Sequence, residues 1–156
     1  MIKRIFIGCD HGGFELKEKI MQKYGHSNVF FDKNGKTKAD SFTFIDCGAF
    51  ALDQNDDFPD FVSAVCSEIK KDKNAFGILI CGTGIGVSII ANRNKYIRAA
   101  LCHSTTYAKF ARFHNNANVL CLGGRFVDFN TACRIIEVFF KTESSPDLKY
   151  KKRMEG

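Results

Sequence analysis

Short apolar runs alternate with helix-patterned segments along this chain of 156 residues, and this alternation limits the available folds more than any other feature. The apolar runs, at residues 3–8, 41–47, 76–80, 97–102 and 118–122, have the composition of buried strands. The helical patterns cover residues 12–24, 59–71, 85–92, 104–113, 128–141 and 144–155. Such alternation predicts an α/β fold, a three-layer α/β/α sandwich with a five-stranded parallel Rossmann-like sheet.

The chain is expected to form a single domain over residues 1–156, because its length suits one core and no internal repeat is present. Residues 24–40 lack clean periodicity and indicate an inserted loop, with a hairpin at residues 33–36. No apolar run approaches the roughly 18 residues that span a membrane. The seven cysteines include no Cys-x-x-Cys pair, which indicates neither a disulfide framework nor a zinc site. We therefore expect a cytoplasmic protein with reduced thiols and no membrane association.

The charge distribution favours an anionic ligand. The net charge is +6, and residues 73–127 contain seven cations but no Asp or Glu. A basic solvated face is the plainer explanation until other features converge on the same segment. A nucleic-acid-binding module is a third explanation, but the chain lacks a recognition motif and an aromatic-rich basic stripe.

A glycine-rich turn follows the third apolar run, in the sequence FGILICGTGIGVS at residues 76–88. A dinucleotide-binding loop requires a further glycine where Val87 stands and an acid about 20 residues later, and both are missing. The Gly-Lys-Ser/Thr of a Walker loop is absent, and so is the Arg that a Cys-x5-Arg phosphatase loop would need at position 87. A nicotinamide enzyme is therefore a weak alternative.

Cys81 stands where this strand meets the turn, and its position indicates two alternatives. Backbone amides at a helix N-terminus bind negative charge and favour a thiolate nearby, and a thiolate is a usable general base. Cys81 would then remove a proton, while Thr83 and the amides of residues 82–86 hold the resulting oxyanion. The other explanation makes Cys81 a core thiol beside an ordinary tight turn, and the loop alone does not separate the two.

Polar residues also follow the first and fifth predicted strands, where parallel α/β sheets bind ligands. Asp10 and His11 can hold hydroxyls or an anion, although Asp10 can equally cap the next helix. Arg125 follows Gly123 and Gly124, and its guanidinium can clamp a phosphate.

Two further candidates lie near helix ends. His114, followed by Asn115, ends the helix predicted from residue 104, and a helix C-terminus favours the protonated imidazole of a general acid. A surface His beside an Asn in the left-handed conformation is the plainer alternative. Lys149 and Arg153 share a face if residues 144–155 are helical, although a solvated basic tail explains them as well.

Taken together these segments resemble the type B ribose-5-phosphate isomerases, of the RpiB/LacAB sugar-phosphate isomerase family. The resemblance covers nearly the whole chain. It is carried by GCDHGGFELK at residues 8–17, DFPDF at 57–61, GILICGTGIGVSIIANR at 77–93, IRAAL at 97–101, ARFHNNANVLCLGGR at 111–125 and the pair Lys149 and Arg153.

The resemblance implies an enzyme of the pentose phosphate pathway that interconverts D-ribose 5-phosphate and D-ribulose 5-phosphate through an enediolate, with no metal or organic cofactor. It implies catalytic roles for Cys81 as the base, Thr83 as an enediolate ligand and His114 as the ring-opening acid. The implied substrate-binding residues are Asp10, His11, Gly82, Gly84, Ile85, Gly86 and Asn115, and the implied phosphate-binding residues are Arg125, Lys149, Arg153 and His11.

The resemblance also implies a homodimer or tetramer whose active sites are completed across the subunit interface, with residues 144–156 packed on a partner subunit. A related isomerase of a six-carbon sugar phosphate, such as allose or galactose 6-phosphate, is the nearest alternative. The chain departs from the family pattern at Phe58, where Tyr is usual, and at Lys149, where Arg is common. Some relatives use a carboxylate base, but the matching position here is Ile90, which points back to Cys81.

Overall fold

The computed structural model describes residues 2–26, 29–30 and 41–155. Within these residues one sheet contains six strands: β1 (Ile2–Cys9), β2 (Val29–Phe30), β3 (Ser41–Asp46), β4 (Phe76–Cys81), β5 (Ala99–Leu101) and β6 (Val119–Gly123). The helices are α1 (Phe14–Tyr24), α2 (Phe58–Lys71), α3 (Ile85–Ala91), α4 (Thr105–Asn115), α5 (Phe129–Lys141) and α6 (Leu148–Glu155).

The strand order is β2-β3-β1-β4-β6-β5, and every neighbouring pair is parallel except β2 with β3. The predicted five-stranded parallel sheet is therefore confirmed. The two-residue β2 adds an antiparallel edge to it, inside the segment predicted as an inserted loop. The hairpin predicted at residues 33–36 lies outside the described residues.

Alternate side chains of the central strands enter two separate cores, one on each face of the sheet. On one face Ile78 and Ile80 of β4 pack in the cluster that contains α1 and α5 residues such as Ile20 and Phe139. On the other face Leu79 and Cys81 pack with α2 and α3 residues. Since both faces are covered, the strands are apolar throughout, as is usual in parallel sheets.

Capping side chains set several helix ends close to their predicted positions. Asp128 Oδ1 accepts the Thr131 N–H at 3.0 Å at the start of α5, and Ser104 Oγ accepts the Tyr107 N–H at 3.4 Å at the start of α4. Asn116 adopts the left-handed conformation, with a φ of 46°, after α4. In that conformation it ends the helix at Asn115, two residues beyond the predicted end.

Three predicted elements are shorter than expected by two residues or more. The helix predicted over residues 144–155 covers only Leu148–Glu155. The helix predicted from residue 12 begins at Phe14, because Gly12 and Gly13 donate their N–H groups to Asp10 in a turn. The strand predicted over residues 97–102 is confined to Ala99–Leu101. Its first two predicted residues have other partners: the Ile97 N–H donates to the Asn94 carbonyl at 2.9 Å, and the Arg98 N–H donates to the side chain of Asn118 at 2.8 Å.

In the part of the chain that the structure describes, none of the helices has the length and apolar character needed to cross a membrane.

Candidate active site

The carboxyl ends of β1, β4 and β6 meet at one edge of the sheet, and the turns that follow them touch. A Cβ on Gly12, after β1, would lie 2.6 Å from the backbone N of Gly82, after β4. The Arg125 N–H, after β6, donates to the Gly82 carbonyl at 3.1 Å. Only a residue without a side chain allows the approach at Gly12. The three loops therefore form one continuous backbone surface, which we call the strand-end cluster (residues 10–13, 81–86 and 123–125).

Cys81 lies in this cluster with its thiol buried and hydrogen-bonded. The residue is 4% exposed, and its Sγ accepts the N–H of Gly84 at 3.1 Å. Gly84 is the N-cap of α3 and has a φ of 78°, in the left-handed region that favours glycine. The sulfur of Cys81 therefore faces a backbone amide donor at the start of α3.

Other buried cysteines have different surroundings. Burial raises the pKa of the Cys9 and Cys102 thiols to about 12. Burial likewise raises the pKa of Cys66, on α2, to about 11. These three thiols are neutral at physiological pH and act as small apolar groups.

Thr83 and Ile85 form the exposed lip of the same turn. The Thr83 Oγ1 accepts the Ile85 N–H at 3.2 Å, so this amide and the amide of Gly84 already have acceptors within the chain. An oxyanion held by either amide would have to replace that acceptor. Beside Thr83 lies a cleft of about 390 Å³, lined by Leu101, His103, Phe126 and neighbours.

Asp10 and His11 are fixed at the end of β1 by different partners. The Asp10 carboxyl is 6% exposed and its Oδ1 accepts the Gly12 N–H at 2.9 Å, so it caps the turn and not α1, whose N-cap is Gly13. Burial raises the pKa of Asp10. The His11 backbone N–H donates to Asp56 Oδ1 at 2.8 Å, and the ring Nδ1 lies at hydrogen-bond distance, also 2.8 Å, from the same oxygen.

Arg125 completes this group from the turn after β6. A Cβ on Gly82 would lie 3.3 Å from the guanidinium carbon of Arg125, so the cation lies directly over the glycine turn. The side chain is exposed and can turn toward an anion at the turn.

The structure places four other predicted residues in a second group, far from Cys81. The His114 ring is stacked between Phe110 and Tyr150, with centroid distances of 4.7 and 4.5 Å. Asn115 donates to the sulfur of Met154, on α6, at 3.3 Å. Lys149 pairs with Asp147 at 3.2 Å, and the Arg153 guanidinium lies 5.9 Å from the Tyr150 ring centroid. We call these residues the α4–α6 cluster.

Within one chain, the two clusters lie at opposite ends of the parallel strands. Helix α4 crosses back between the parallel strands β5 and β6, so its end lies beside the start of β6, where Gly77 donates to the Asn118 carbonyl at 2.9 Å. Cys81 is paired with Gly123, at the other end of β6. Residues 118 and 123 are about 16 Å apart at roughly 3.3 Å per residue. One chain therefore does not bring His114 to Cys81.

The predicted basic block does not form one anion-binding surface. Arg112 is 8% exposed and donates to the Thr142 and Ala117 carbonyls, while Arg98 Nε donates to the Asn116 carbonyl at 2.7 Å. These two cations hold elements together, and of the seven only Arg125 joins the strand-end cluster. Within the described residues, no group of three or more His, Cys, Asp or Glu side chains is placed to hold a metal ion.

Sequence reasoning missed Asp56. This residue lies in the loop between β3 and α2, 45 positions from His11, and no motif marks it. The only sequence signal is a pair of acids, Asp56 and Asp57, ahead of the Pro that opens α2.

Comparisons with known proteins agree on one family. The family model described as Ribose/Galactose Isomerase matches residues 5–156. The probable ribose-5-phosphate isomerase B of Mycoplasma genitalium is 43% identical over 138 residues, 88% of this chain and 82% of that protein. The ribose-5-phosphate isomerase B of Mycolicibacterium paratuberculosis is 34% identical over 155 residues, 97% of this chain and 87% of its own length.

Solved structures give the same result. The Mycoplasma genitalium ribose-5-phosphate isomerase B with bound ribulose-5-phosphate has a TM-score of 0.83 and 38% identity, covering 97% of this chain and 91% of that one.

Proposed function

Because the chain belongs to the ribose/galactose isomerase family, we propose that it interconverts D-ribose 5-phosphate and D-ribulose 5-phosphate through an enediolate, with Cys81 as the base. The chain is an isomerase. The observation that carries the proposed chemistry is the Cys81 thiol at the strand-end cluster, with the Gly84 N–H 3.1 Å from its sulfur.

The proposed reaction moves one proton between two carbons. The Cys81 thiolate removes the proton from C2 of the open-chain aldose, and the electron pair moves into the C1–C2 bond while O1 gains negative charge. We assign stabilisation of this enediolate to Thr83 and the amides of Gly82, Gly84, Ile85 and Gly86. For the Gly84 and Ile85 amides, the oxyanion replaces the Cys81 sulfur and the Thr83 hydroxyl as the acceptor. The thiol then returns its proton to C1, and the O2 proton is lost to give the ketose, with O1 reprotonated.

The remaining predicted residues are assigned to ring opening and to binding. We assign the ring-opening acid to His114 and sugar contacts to Asp10 and Asn115. The phosphate is assigned to His11 and Arg125 of one chain and to Lys149 and Arg153 of the other. Phosphate contacts far from C1 supply binding energy that orients the reacting carbons.

We propose that each active site combines two subunits. The support is the separation of the α4–α6 cluster from Cys81 in one chain. The face beside the edge strand β5 is available for this contact. It contains a cleft of about 850 Å³ whose lining includes Leu101, Phe110 and Asn115. Tyr107, which lines this cleft, is 57% exposed, and Ile89, on α3, is 54% exposed. A second copy packed here would cover that face and bring its α4–α6 cluster, with residues 144–156, to the Cys81 of the first.

We also propose a cytoplasmic location, in agreement with a single-domain metabolic enzyme. The support is that all seven cysteines have free thiols, as expected in a reducing compartment.

The function is tested by following ketose formation from D-ribose 5-phosphate with the purified protein. The five-carbon substrate is expected to have a higher kcat/KM than allose 6-phosphate or galactose 6-phosphate. A higher value for either six-carbon sugar would assign the chain to that alternative substrate.

Cys81→Ala tests the base. We expect kcat to fall by about 10²-fold or more, since a general base contributes that much, while ribose 5-phosphate binding measured by calorimetry is retained. Cys66→Ala is the matched control, because Cys66 is buried in the same core but lies on α2, outside the strand-end cluster. Near wild-type kcat in Cys81→Ala would exclude the thiol as the base.

A further inference from the structure

Asp56 holds a predicted substrate-binding residue, His11, through both its backbone and its ring. A single oxygen, Oδ1, accepts the His11 backbone N–H and the Nδ1 proton, each at 2.8 Å. A carboxylate can only accept in this pair, so Nδ1 carries a proton and Nε2 is the nitrogen left for a ligand. The ring is therefore fixed in both position and tautomer.

The second oxygen of Asp56 has an unusual environment. Oδ2 is buried and has no hydrogen-bond partner within the described ranges 2–26, 29–30 and 41–155, and the side chain is 11% exposed. A carboxylate that is nearly buried with one oxygen unpaired is costly unless a positive charge is close. In this part of the structure the group that supplies it is His11, provided the imidazole holds its second proton.

The His11 ring itself is accessible, with 27% of its side chain exposed, and it belongs to the turn that packs against Gly82. The titratable groups that face it are Asp10 on its own loop and Asp56 from the loop before α2, while Arg125 approaches the same cluster over Gly82. The hydrogen bond to Asp56, and secondarily the charge of Asp10, raises the pKa of His11. Both acids thus favour the charged imidazole.

We propose that Asp56 is a positioning residue that holds His11 in its doubly protonated form, with the Nε2–H directed to the phosphate of the sugar phosphate. This inference rests on the proposed function, since it assigns a second residue to phosphate binding. Neutral imidazole with its proton on Nδ1 would present a lone pair at Nε2 and repel the phosphate. Asp56 thus supports substrate binding without contacting the substrate.

Asp56→Asn tests the inference, because the amide oxygen can still accept from the His11 N–H groups but brings no charge. We expect KM for ribose 5-phosphate to rise about 10-fold, the range for a lost charge-assisted hydrogen bond, with kcat nearly unchanged. Asp57→Asn is the matched control, since Asp57 is exposed on the same loop and its side chain makes no capping hydrogen bond.

His11→Asn and the double variant separate positioning from an independent role. If Asp56 acts through His11, Asp56→Asn adds little to the KM of His11→Asn. Multiplying effects would overturn the inference. The KM of Asp56→Asn should also fall as the pH is lowered from 8.5 toward about 6.5, because His11 then becomes protonated. This range stays above the phosphate pKa of about 6, so the charge of the phosphate changes little. A purely structural defect would not respond to pH in this way.

A measurement without turnover keeps the inference separate from the proposed function. In ¹⁵N NMR of the wild-type protein at the pH of the assay, His11 should carry protons on both Nδ1 and Nε2, and its ring should titrate at a higher pH than in Asp56→Asn. A singly protonated ring in the wild type at that pH, or equal titration in both proteins, would overturn the role of Asp56. Absence of isomerase activity with the expected titration would instead overturn the proposed function alone.

Discussion

At the scale of single residues, Gly84 carries two constraints that any side chain would violate. Its φ is 78°, and an added Cβ would lie 2.6 Å from Leu101 Cδ1 and 2.8 Å from the Leu122 carbonyl carbon. Because one of these neighbours is backbone, the strain cannot be relieved by a rotamer change. The same residue donates the amide that reaches the Cys81 sulfur.

Gly84→Ala is therefore expected to lower the free energy of unfolding by about 2–4 kcal/mol, from left-handed strain and overpacking together. Urea unfolding measures the change. Gly82→Ala is the matched stability control: its Cβ would meet only the flexible Arg125 guanidinium, at 3.3 Å. Equal losses in both variants would show that the strain argument at Gly84 is wrong.

Residue types at strand ends predicted the members of the strand-end cluster well, but not their partners. Cys81 could be singled out because a thiol and glycines after an apolar run have few structural uses. Asp56 could not, because the contact with His11 spans 45 positions and depends on the path of the loop after β3. Acids are common in such loops, and nothing local distinguishes one from its neighbour.

At the scale of elements, Arg112 joins α4, α5 and the entry to β6. Its guanidinium donates to the Thr142 carbonyl after α5, to Asn116 Oδ1 and to the Ala117 carbonyl, and lies 5.0 Å from the Phe76 ring centroid. Burial lowers the pKa of Arg112 to about 10. The sequence grouped this cation with residues for an anionic ligand, because composition does not reveal which side chains turn inward.

Arg112→Lys is expected to destabilise the protein by about 2–4 kcal/mol, because an ammonium cannot reach three acceptors in the planar arrangement of a guanidinium and buried carbonyls lose their donors. Thermal or urea unfolding measures the loss. Arg93→Lys makes the same chemical change at an exposed position and should stay within about 0.5 kcal/mol of wild type. A neutral Arg112→Lys would mean that these hydrogen bonds contribute little to joining the elements.

Helix and strand positions could be predicted because hydrophobic periodicity records which side chains are buried. Their ends were less predictable where side chains compete with the backbone. Asn118 takes the Arg98 N–H and donates to the Tyr96 carbonyl at 2.9 Å, and Asn92 accepts the Ala99 N–H at 2.9 Å. These amides shorten β5 to three residues. Periodicity contains no information about such contacts.

At the scale of the whole molecule, the topology separates residues that the proposed reaction needs together. The proposed reaction needs both His114 and Cys81. The crossover from β5 to β6 nevertheless places them at opposite ends of the strands. The base and the ring-opening acid proposed for one chain are therefore too far apart to act on the same sugar, which supports the proposed two-subunit site. Two copies related by a two-fold axis can exchange their α4–α6 clusters and form two equal sites.

Mixing two inactive variants tests this arrangement directly. In a dimer of Cys81→Ala with His114→Asn, one site has both substitutions and the other has neither. If subunits exchange freely, half of the dimers are mixed and each has one intact site, so about a quarter of the wild-type rate should return. The assay uses cyclic ribose 5-phosphate, for which ring opening is required.

As a control, the double variant mixed with either single variant should stay inactive, because no combination then restores a site. If each chain held a complete site, neither parent would regain activity on mixing, and the mixture would show only the sum of the two residual rates.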